Sequence, residues 1–263
     1  MSLTIKPGPL ADRAPATANY RIDGPAHLLL MHDFPRRVRA VFAGETVLDT
    51  DGAKLLHETG LHPQLYVPLD DLNQELLKPT EHHTHCPFKG TASYWSVVVG
   101  DRVAENAIWA YPEPNPESKW LRGYAGPYWE SMDTWYDEDE EIPGLRDPFH
   151  RVDVRDSSRH VRVTVGGEVV AETGRPRLLS ETGLPNRFYI PPEDVRQDLL
   201  SPSQTRTVCP YKGTASYWSV RTGRRALSDA VWAYPEAEGD AAKVRGYLCF
   251  GHDDITVEVG SPR

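Results

Sequence analysis

Hydrophobic and polar residues alternate along this chain in short segments that glycine or proline separates. Residues 38–42 read Val-Arg-Ala-Val-Phe, residues 43–45 read Ala-Gly-Glu, and residues 46–48 read Thr-Val-Leu, which is the pattern of a strand, a tight turn and a second strand. Helical periodicity is confined to segments too brief to form a packing layer, namely 72–77, 117–121, 195–200 and 241–244. The pattern therefore predicts a mostly β protein with short helices.

The whole pattern occurs twice, because residues 38–124 recur without a gap at 161–247. Each position meets its counterpart 123 residues later, as Cys86 meets Cys209. Residues 89–97 and 212–220 both read Lys-Gly-Thr-Ala-Ser-Tyr-Trp-Ser-Val, although many positions around them have diverged. A period this long indicates two complete domains rather than a solenoid.

We therefore predict a first repeat domain at 35–146 and a second at 147–263, arranged as an intramolecular pseudo-dimer within a monomer. Residues 1–34 are rich in proline, alanine and glycine without a sustained period, and they are predicted to form an irregular N-terminal arm.

Composition and charge narrow the class of protein. A formal net charge of −9 and an acidic run at 137–141 disfavour a nucleic-acid binder, which needs a concentrated basic face. Three cysteines without a secretory start indicate a reducing, cytoplasmic location and no disulfide framework. The longest apolar stretch near the start, 28–31, is far shorter than the roughly 20 residues of a membrane helix. We expect no membrane partner and no cofactor.

The segment Cys-Pro-Phe-Lys-Gly at 86–90 predicts a rigid turn entering a strand, because Pro87 fixes φ and Gly90 permits a left-handed backbone. A lysine beside a thiol lowers its pKa, so Cys86 and its counterpart Cys209 are weak catalytic candidates. The alternative is a structural cysteine, since free cysteine is among the most buried residue types.

Metal binding is not predicted. Three histidines precede Cys86 in the first repeat, but threonine, arginine and valine stand at the corresponding positions of the second, and a zinc site needs about four ligands. The histidines are His82, His83 and His85.

The strand after the turn places Ser93 and Trp95 on one side, and the next strand places Trp109 and Tyr111 on one face. If these strands are neighbours, aromatic walls flank small polar groups beside Lys89, which is how small-molecule pockets are commonly lined. The corresponding candidates in the second repeat are Lys212, Ser216, Trp218, Trp232 and Tyr234. We hypothesise one pocket per repeat for an unknown anionic small molecule.

Both repeats also contain Glu-Thr-Gly-Leu, beginning at Glu58 and Glu181. These carboxylates are weak catalytic candidates as general bases, or they are the salt-bridge partners of Lys89 and Lys212.

These motifs, together with Trp-Ala-Tyr-Pro-Glu and Arg-Gly-Tyr, resemble the family called domain of unknown function 427. The resemblance covers about 38–137 and 159–259 and implies a small, mostly β domain of the β-tent type. It implies no established activity. The nucleotidyltransferase-like label sometimes attached to the family has little support here, since no glycine-rich loop with paired aspartates recurs in both repeats.

Three functions remain open: a small-molecule module that binds and possibly transforms its ligand, a non-catalytic protein-interaction module, and a thiol-dependent or nucleotidyltransferase-like enzyme. Trp120, Trp129 and Trp135 have no tryptophan, tyrosine or phenylalanine counterpart in the second repeat, which would suit an asymmetric partner surface.

Overall fold

The computed structural model describes residues 3–4, 8–11, 17–21 and 23–262, and it divides into two compact units, Met1–Phe149 and His150–Arg263. The regular structure of each unit is mainly antiparallel strands, and its helical residues form short 3₁₀ turns. The prediction of a mostly β chain in two tandem copies is therefore confirmed. Within the described ranges, no helix has the length and apolar character needed to cross a bilayer.

The described part of the first unit has these strands: β1 Leu29–Asp33, β2 Val38–Phe42, β3 Glu45–Thr50, β4 Lys54–Glu58, β5 Gln64–Pro68, β6 Leu77–Cys86, β7 Gly90–Val99, β8 Arg102–Ala110, β9 Tyr124–Pro127, β10 Thr134–Asp137 and β11 Glu140–Glu141. Seven of them form one sheet in the order β1-β4-β5-β9-β8-β7-β6, and four form a second in the order β11-β10-β2-β3.

The second unit repeats this arrangement with β12 Val152–Asp156, β13 Arg159–Val165, β14 Glu168–Thr173, β15 Arg177–Glu181, β16 Arg187–Ile190, β17 Leu200–Cys209, β18 Gly213–Arg221, β19 Ala226–Ala233, β20 Leu248–Phe250 and β21 Ile255–Pro262. Its large sheet has the order β12-β15-β16-β20-β19-β18-β17, and its small sheet has the order β14-β13-β21. The large sheets of the two units therefore match strand for strand.

The 3₁₀ turns lie at Leu69–Asp71, Gln74–Leu76, Pro116–Leu121, Trp129–Ser131, Pro192–Asp194, Gln197–Leu199 and Gly239–Val244. The short helices expected at 117–121 and 241–244 are therefore present as 3₁₀ turns. Those expected at 72–77 and 195–200 shrink to single turns, because Leu72 and Val195 have extended backbones and strands begin at Leu77 and Leu200.

One part of the predicted arm is a strand. Leu29–Asp33 pairs antiparallel with β4, from Leu29 opposite Glu58 to Asp33 opposite Lys54, and closes one edge of the large sheet. The prediction of an irregular arm at 1–34 is wrong for these residues. An edge strand of five residues carries too little alternation to be recognised without its partner strand.

The two faces of each large sheet belong to different hydrophobic clusters. In the first unit, Leu55 and Ile108 face the small sheet and belong to the main core, whereas Leu56 and Trp109 belong to a second cluster on the opposite face. Because strand side chains alternate between faces, Glu58 projects to the same face as Leu56. The second unit divides its core in the same way. This second face carries the candidate site.

Because the main core of the first unit is formed by residues of that unit, we expect a substitution in this core to destabilise the first unit alone. Ile108 is fully buried, and Ile108→Ala should lower the free energy of unfolding of the first unit by about 2–5 kcal/mol. Hydrogen exchange followed by mass spectrometry should show lost protection in β7–β9 and unchanged protection in β18–β20. An equal loss in both units would contradict two separate cores.

Candidate functional site

A tight turn positions the lysine of each unit. The Lys89 amide donates a hydrogen bond to the Cys86 carbonyl (3.3 Å), and the Asn115 amide donates to the Lys89 carbonyl (3.1 Å). Gly90 has a φ of +107°, and a Cβ there would lie 3.1 Å from the Glu113 carbonyl oxygen. The turn predicted from the sequence is confirmed, and in the second unit Lys212 donates in the same way to Cys209.

The lysine and glutamate of the first unit form a buried ion pair. Lys89 Nζ donates to Glu58 Oε2 at 2.5 Å, and the other carboxylate oxygen, Oε1, lies 2.8 Å from His27 Nε2. Phe88 stacks on the His27 ring with centroids 3.7 Å apart. Glu58 is therefore the salt-bridge partner of Lys89, which is one of the two roles that the sequence predicted for it, and it also bonds an imidazole.

The second unit repeats the network. Lys212 Nζ donates to Glu181 Oε2 at 2.5 Å, and Glu181 Oε1 lies 3.0 Å from His150 Nε2. Tyr211 takes the place of Phe88 against the imidazole, with ring centroids 4.1 Å apart. Two networks of the same composition and geometry thus occupy the same place in both units.

Sequence reasoning missed the two histidines. His27 and His150 lie upstream of the recognised repeats, which begin at residues 38 and 161. Their positions differ by the same 123 residues as every other pair, so extending the offset upstream would have found them. They precede β1 and β12, whose pairing with β4 and β15 brings them to the glutamates.

Burial of these charges costs free energy, because it removes the charged groups from water. Side-chain exposure is 11% for Lys89 and 5% for Glu58, and 9% for both Lys212 and Glu181. Burial of the Glu181 carboxylate acts to raise its pKa, but hydrogen bonds from His150 and Lys212 outweigh burial and lower the pKa to about 2. Glu181 is therefore ionised at every physiological pH.

Aromatic rings surround the lysines. Lys89 Nζ lies 5.8 Å from the centre of the Tyr111 ring, and Lys212 Nζ lies the same distance from Tyr234, within the range of a cation–π interaction. Burial raises the pKa of both phenols above the ordinary value, so both hydroxyls stay neutral.

The tryptophans of the same face bond to a second pair of tyrosines. Trp109 Nε1 donates to the Tyr66 hydroxyl at 3.4 Å, and Trp232 Nε1 donates to Tyr189 at 3.3 Å. Of the predicted ligand residues, the structure therefore brings Lys89, Trp109 and Tyr111 together on one face, as it does Lys212, Trp232 and Tyr234.

In the second unit this face contains a cavity of about 380 Å³. Lys212 and Glu181 line it together with four aromatic side chains, Tyr189, Tyr217, Trp232 and Tyr234. A charged pair surrounded by aromatic walls can position a polar group of a small molecule while the rings contact its apolar part.

The structure does not bring the predicted serines to this site. Tyr94 pairs directly with Trp109, whereas Ser93 pairs with Ala110 and Trp95 with Ile108, so Ser93 and Trp95 project to the opposite face. Trp95 and its counterpart Trp218 pack against the main cores instead. Ser216 shares the face of Trp218. The sequence predicted the two strands correctly, but it grouped Ser93 and Trp95 with Trp109, which projects to the other face.

The two cysteines of the turns take part in the packing of this face. Cys86 and Cys209 are half-buried at the turns and pack against the aromatic clusters. Full burial raises the pKa of the Cys249 thiol to about 12.

The histidines of β6 make ordinary contacts along the strand. His83 Nδ1 lies 3.2 Å from the Ala92 carbonyl oxygen, and His85 Nδ1 lies 3.3 Å from Thr91 Oγ1. Among the described residues, no group of three or more His, Cys, Asp or Glu side chains is placed to hold a metal ion.

Two of the three unmatched tryptophans do not form an exposed patch. Trp135 is 2% exposed, stacks on Trp129 with centroids 4.3 Å apart and donates a hydrogen bond to the Trp129 carbonyl. Both pack with the main core of the first unit, whereas Trp120 is exposed. The expectation that all three serve a partner surface is therefore wrong for Trp135, which is buried.

The fold and site together define a tandem β-sheet protein that carries one His–Glu–Lys network in each copy. The chain belongs to the family described as domain of unknown function (DUF427), whose model matches residues 30–138 and again residues 153–260. No curated protein is a significant match to the chain.

The Glu181 network predicts a specific dependence of stability on pH. The folded-state pKa of about 2 is lower than the ordinary value of 4.5. The ionised carboxylate therefore contributes stability that is fully present above about pH 4.5 and is lost as the pH falls through about 2. In urea titrations, Glu181→Gln should reduce the free energy of unfolding most above pH 5, and the reduction should shrink as the pH falls from 4.5 towards 2.

Glu236→Gln is the matched control, because Glu236 is an exposed carboxylate of the same unit. Its effect should be small at every pH. A Glu181→Gln effect that stays constant between pH 7 and pH 3 would contradict the assignment.

Proposed function

We propose that this protein binds a small planar organic anion in an aromatic-lined pocket, with an oxygen atom of the ligand placed against the Lys–Glu pair. The observation that carries the proposal is the cavity of the second unit, where Lys212 and Glu181 lie among four aromatic side chains. Its volume of about 380 Å³ falls in the range of small-molecule sites.

The buried charge pair supports a binding role more than a stabilising one. Removing two charges from water costs several kcal/mol per ion, and well-packed apolar residues of similar size are often as stable. Burying such a pair twice, with a histidine on each glutamate, is more than the packing of a sheet face requires.

The chemistry of the ammonium group suggests the ligand class. An ammonium has three N–H donors, and Glu181 is the hydrogen-bond acceptor that the described residues provide for Lys212. The other donors are suited to oxygen atoms of water or of a carboxylate or phosphate ligand. Aromatic walls favour a flat ligand body.

The electrostatics favour binding over general-base catalysis. An efficient general base has a pKa near the working pH, whereas the pKa of Glu181 is lowered to about 2. Its carboxylate is therefore a weak base that serves to orient Lys212 and His150.

A thermal-shift screen tests the proposal. The natural protein is screened with aromatic carboxylates, nucleotides and other phosphate esters, and with uncharged amides of the same shape. A ligand at about 100 times its dissociation constant adds roughly 2.7 kcal/mol of stability, which should raise the unfolding midpoint by several degrees. The increase should disappear in the Lys89→Met, Lys212→Met double variant.

The Lys78→Met, Lys119→Met double variant is the control, because it removes two exposed lysines outside the pocket and the same total charge. It should keep the full ligand-induced increase. No increase with any anion, or an increase that survives loss of Lys89 and Lys212, would contradict the proposal.

A further inference from the structure

The two copies of the pocket differ at a few positions only. Twelve residues line the cavity of the second unit, and eight of them have the same residue 123 positions earlier. The four differences replace His62 by Pro185, Gln64 by Arg187, Asn106 by Asp229 and Tyr128 by Gly251. The exchange of Tyr128 for Gly251 changes the space above the tryptophan, and the exchange of Gln64 for Arg187 adds a positive charge at the pocket.

Tyr128 covers the tryptophan of the first unit. Its ring centroid lies 4.5 Å from that of Trp109. Burial and a hydrogen bond with Tyr94 raise the pKa of Tyr128 to about 12, so the covering hydroxyl is neutral. Trp109 is 8% exposed and Tyr94 is 6% exposed. The aromatic face of the first unit is therefore closed by its own side chain.

Gly251 has no side chain to cover the indole of the second unit. Trp232 and Tyr217, the counterparts of Trp109 and Tyr94, are only half-buried, and both line the cavity. A Cβ at Gly251 would lie 2.9 Å from the Trp232 ring, so the indole lies directly against the glycine. Any larger residue at 251 would displace this ring.

A second exchange fixes the two indoles in different places. In the first unit the Trp109 ring lies against Gly126, where a Cβ would come within 2.3 Å of it. The counterpart of Gly126 is Cys249, whose side chain is buried. Each copy therefore has one glycine against its indole, at position 126 in the first unit and at position 251 in the second.

The open pocket also has an added cation. The Arg187 guanidinium lies 5.7 Å from the centre of the Trp232 ring and is solvent-exposed. No described carboxylate lies within salt-bridge distance of it. Asp229, the other charged replacement, accepts a hydrogen bond from Thr205 at 2.7 Å, and hydrogen bonds from Ser203 and Thr205 lower its pKa. Arg187 is thus an unneutralised cation beside an open aromatic face.

We propose that the second unit is the binding site, that it takes a small aromatic carboxylate, and that Arg187 pairs with the carboxylate while the ring of the ligand lies against Trp232. The first unit keeps the Lys89–Glu58 network, but its Trp109 ring is covered by Tyr128. This inference rests on the proposed function. It adds that the second unit binds the ligand and that Arg187 selects an anion.

Fluorine NMR of the full chain labelled with 5-fluorotryptophan tests the inference, since each tryptophan then reports separately. Trp109→Phe and Trp232→Phe variants assign the two resonances. Titration with phenylacetate should shift the Trp232 resonance and leave that of Trp109 in place. Phenylacetamide, which has the same shape without the charge, should bind about tenfold more weakly, as expected for loss of one charge-assisted contact.

Exchanges between the copies supply matched variants. Arg187→Gln installs the residue of the first unit at an exposed position and should reduce the preference for phenylacetate over phenylacetamide. Tyr128→Gly combined with Gln64→Arg should open the first unit and make the Trp109 resonance respond.

The outcomes separate this inference from the proposed function. Equal responses of Trp109 and Trp232 in the natural protein would overturn the assignment to the second unit and leave the proposed function intact. An unchanged preference in Arg187→Gln would overturn the role of Arg187. If neither resonance responds to phenylacetate, the inference fails, and the proposed function fails with it only if the thermal-shift screen also finds no anion.

Discussion

The ion pair between a lysine and a glutamate on the second face of each large sheet is the interaction on which the rest of the site depends. Two charges that are about nine-tenths buried need close geometry and further hydrogen bonds to offset the loss of water. The glycine after each lysine sharpens the turn, the edge strand brings a histidine to the second carboxylate oxygen, and tyrosine rings lie beside the ammonium. Each of these features helps to hold one charge pair in an aromatic environment.

Gene duplication makes the site easier to interpret, because each copy is a control for the other. The His–Glu–Lys network and its four neighbouring aromatic positions are retained, whereas the residues that cover the tryptophan have been exchanged. Tyrosine at 128 and glycine at 251 produce a closed and an open face on the same framework. If one copy specialised in binding, both copies would keep the charges while the residues that cover the tryptophan diverged. The packing of single side chains would then decide which ligand binds.

Much of the fold was predictable from the sequence, and the errors have physical causes. The offset of 123 residues and the short alternating segments predicted two mostly β domains, and the Cys-Pro turn and the pairing of Lys89 with Glu58 are confirmed. Ser93 and Trp95 were joined with Trp109 because alternation fixes which side chains share a face within one strand but not which face meets the neighbouring strand. His27 was missed because the offset of 123 residues was not extended upstream of residue 38, and Tyr128 because its contact with Trp109 depends on tertiary packing.

The most direct test of the account is the stability of a protein in which both ion pairs are neutral. In the variant with Lys89→Met, Glu58→Gln, Lys212→Met and Glu181→Gln, the glutamines keep the size of the glutamates and a hydrogen-bond acceptor for each histidine. If the pairs are kept for binding, the free energy of unfolding from urea titration should stay within about 1 kcal/mol of the natural value for each unit, since neutral replacements of buried pairs are often tolerated. A loss of several kcal/mol in each unit would show that the pairs hold the fold together and would contradict the account.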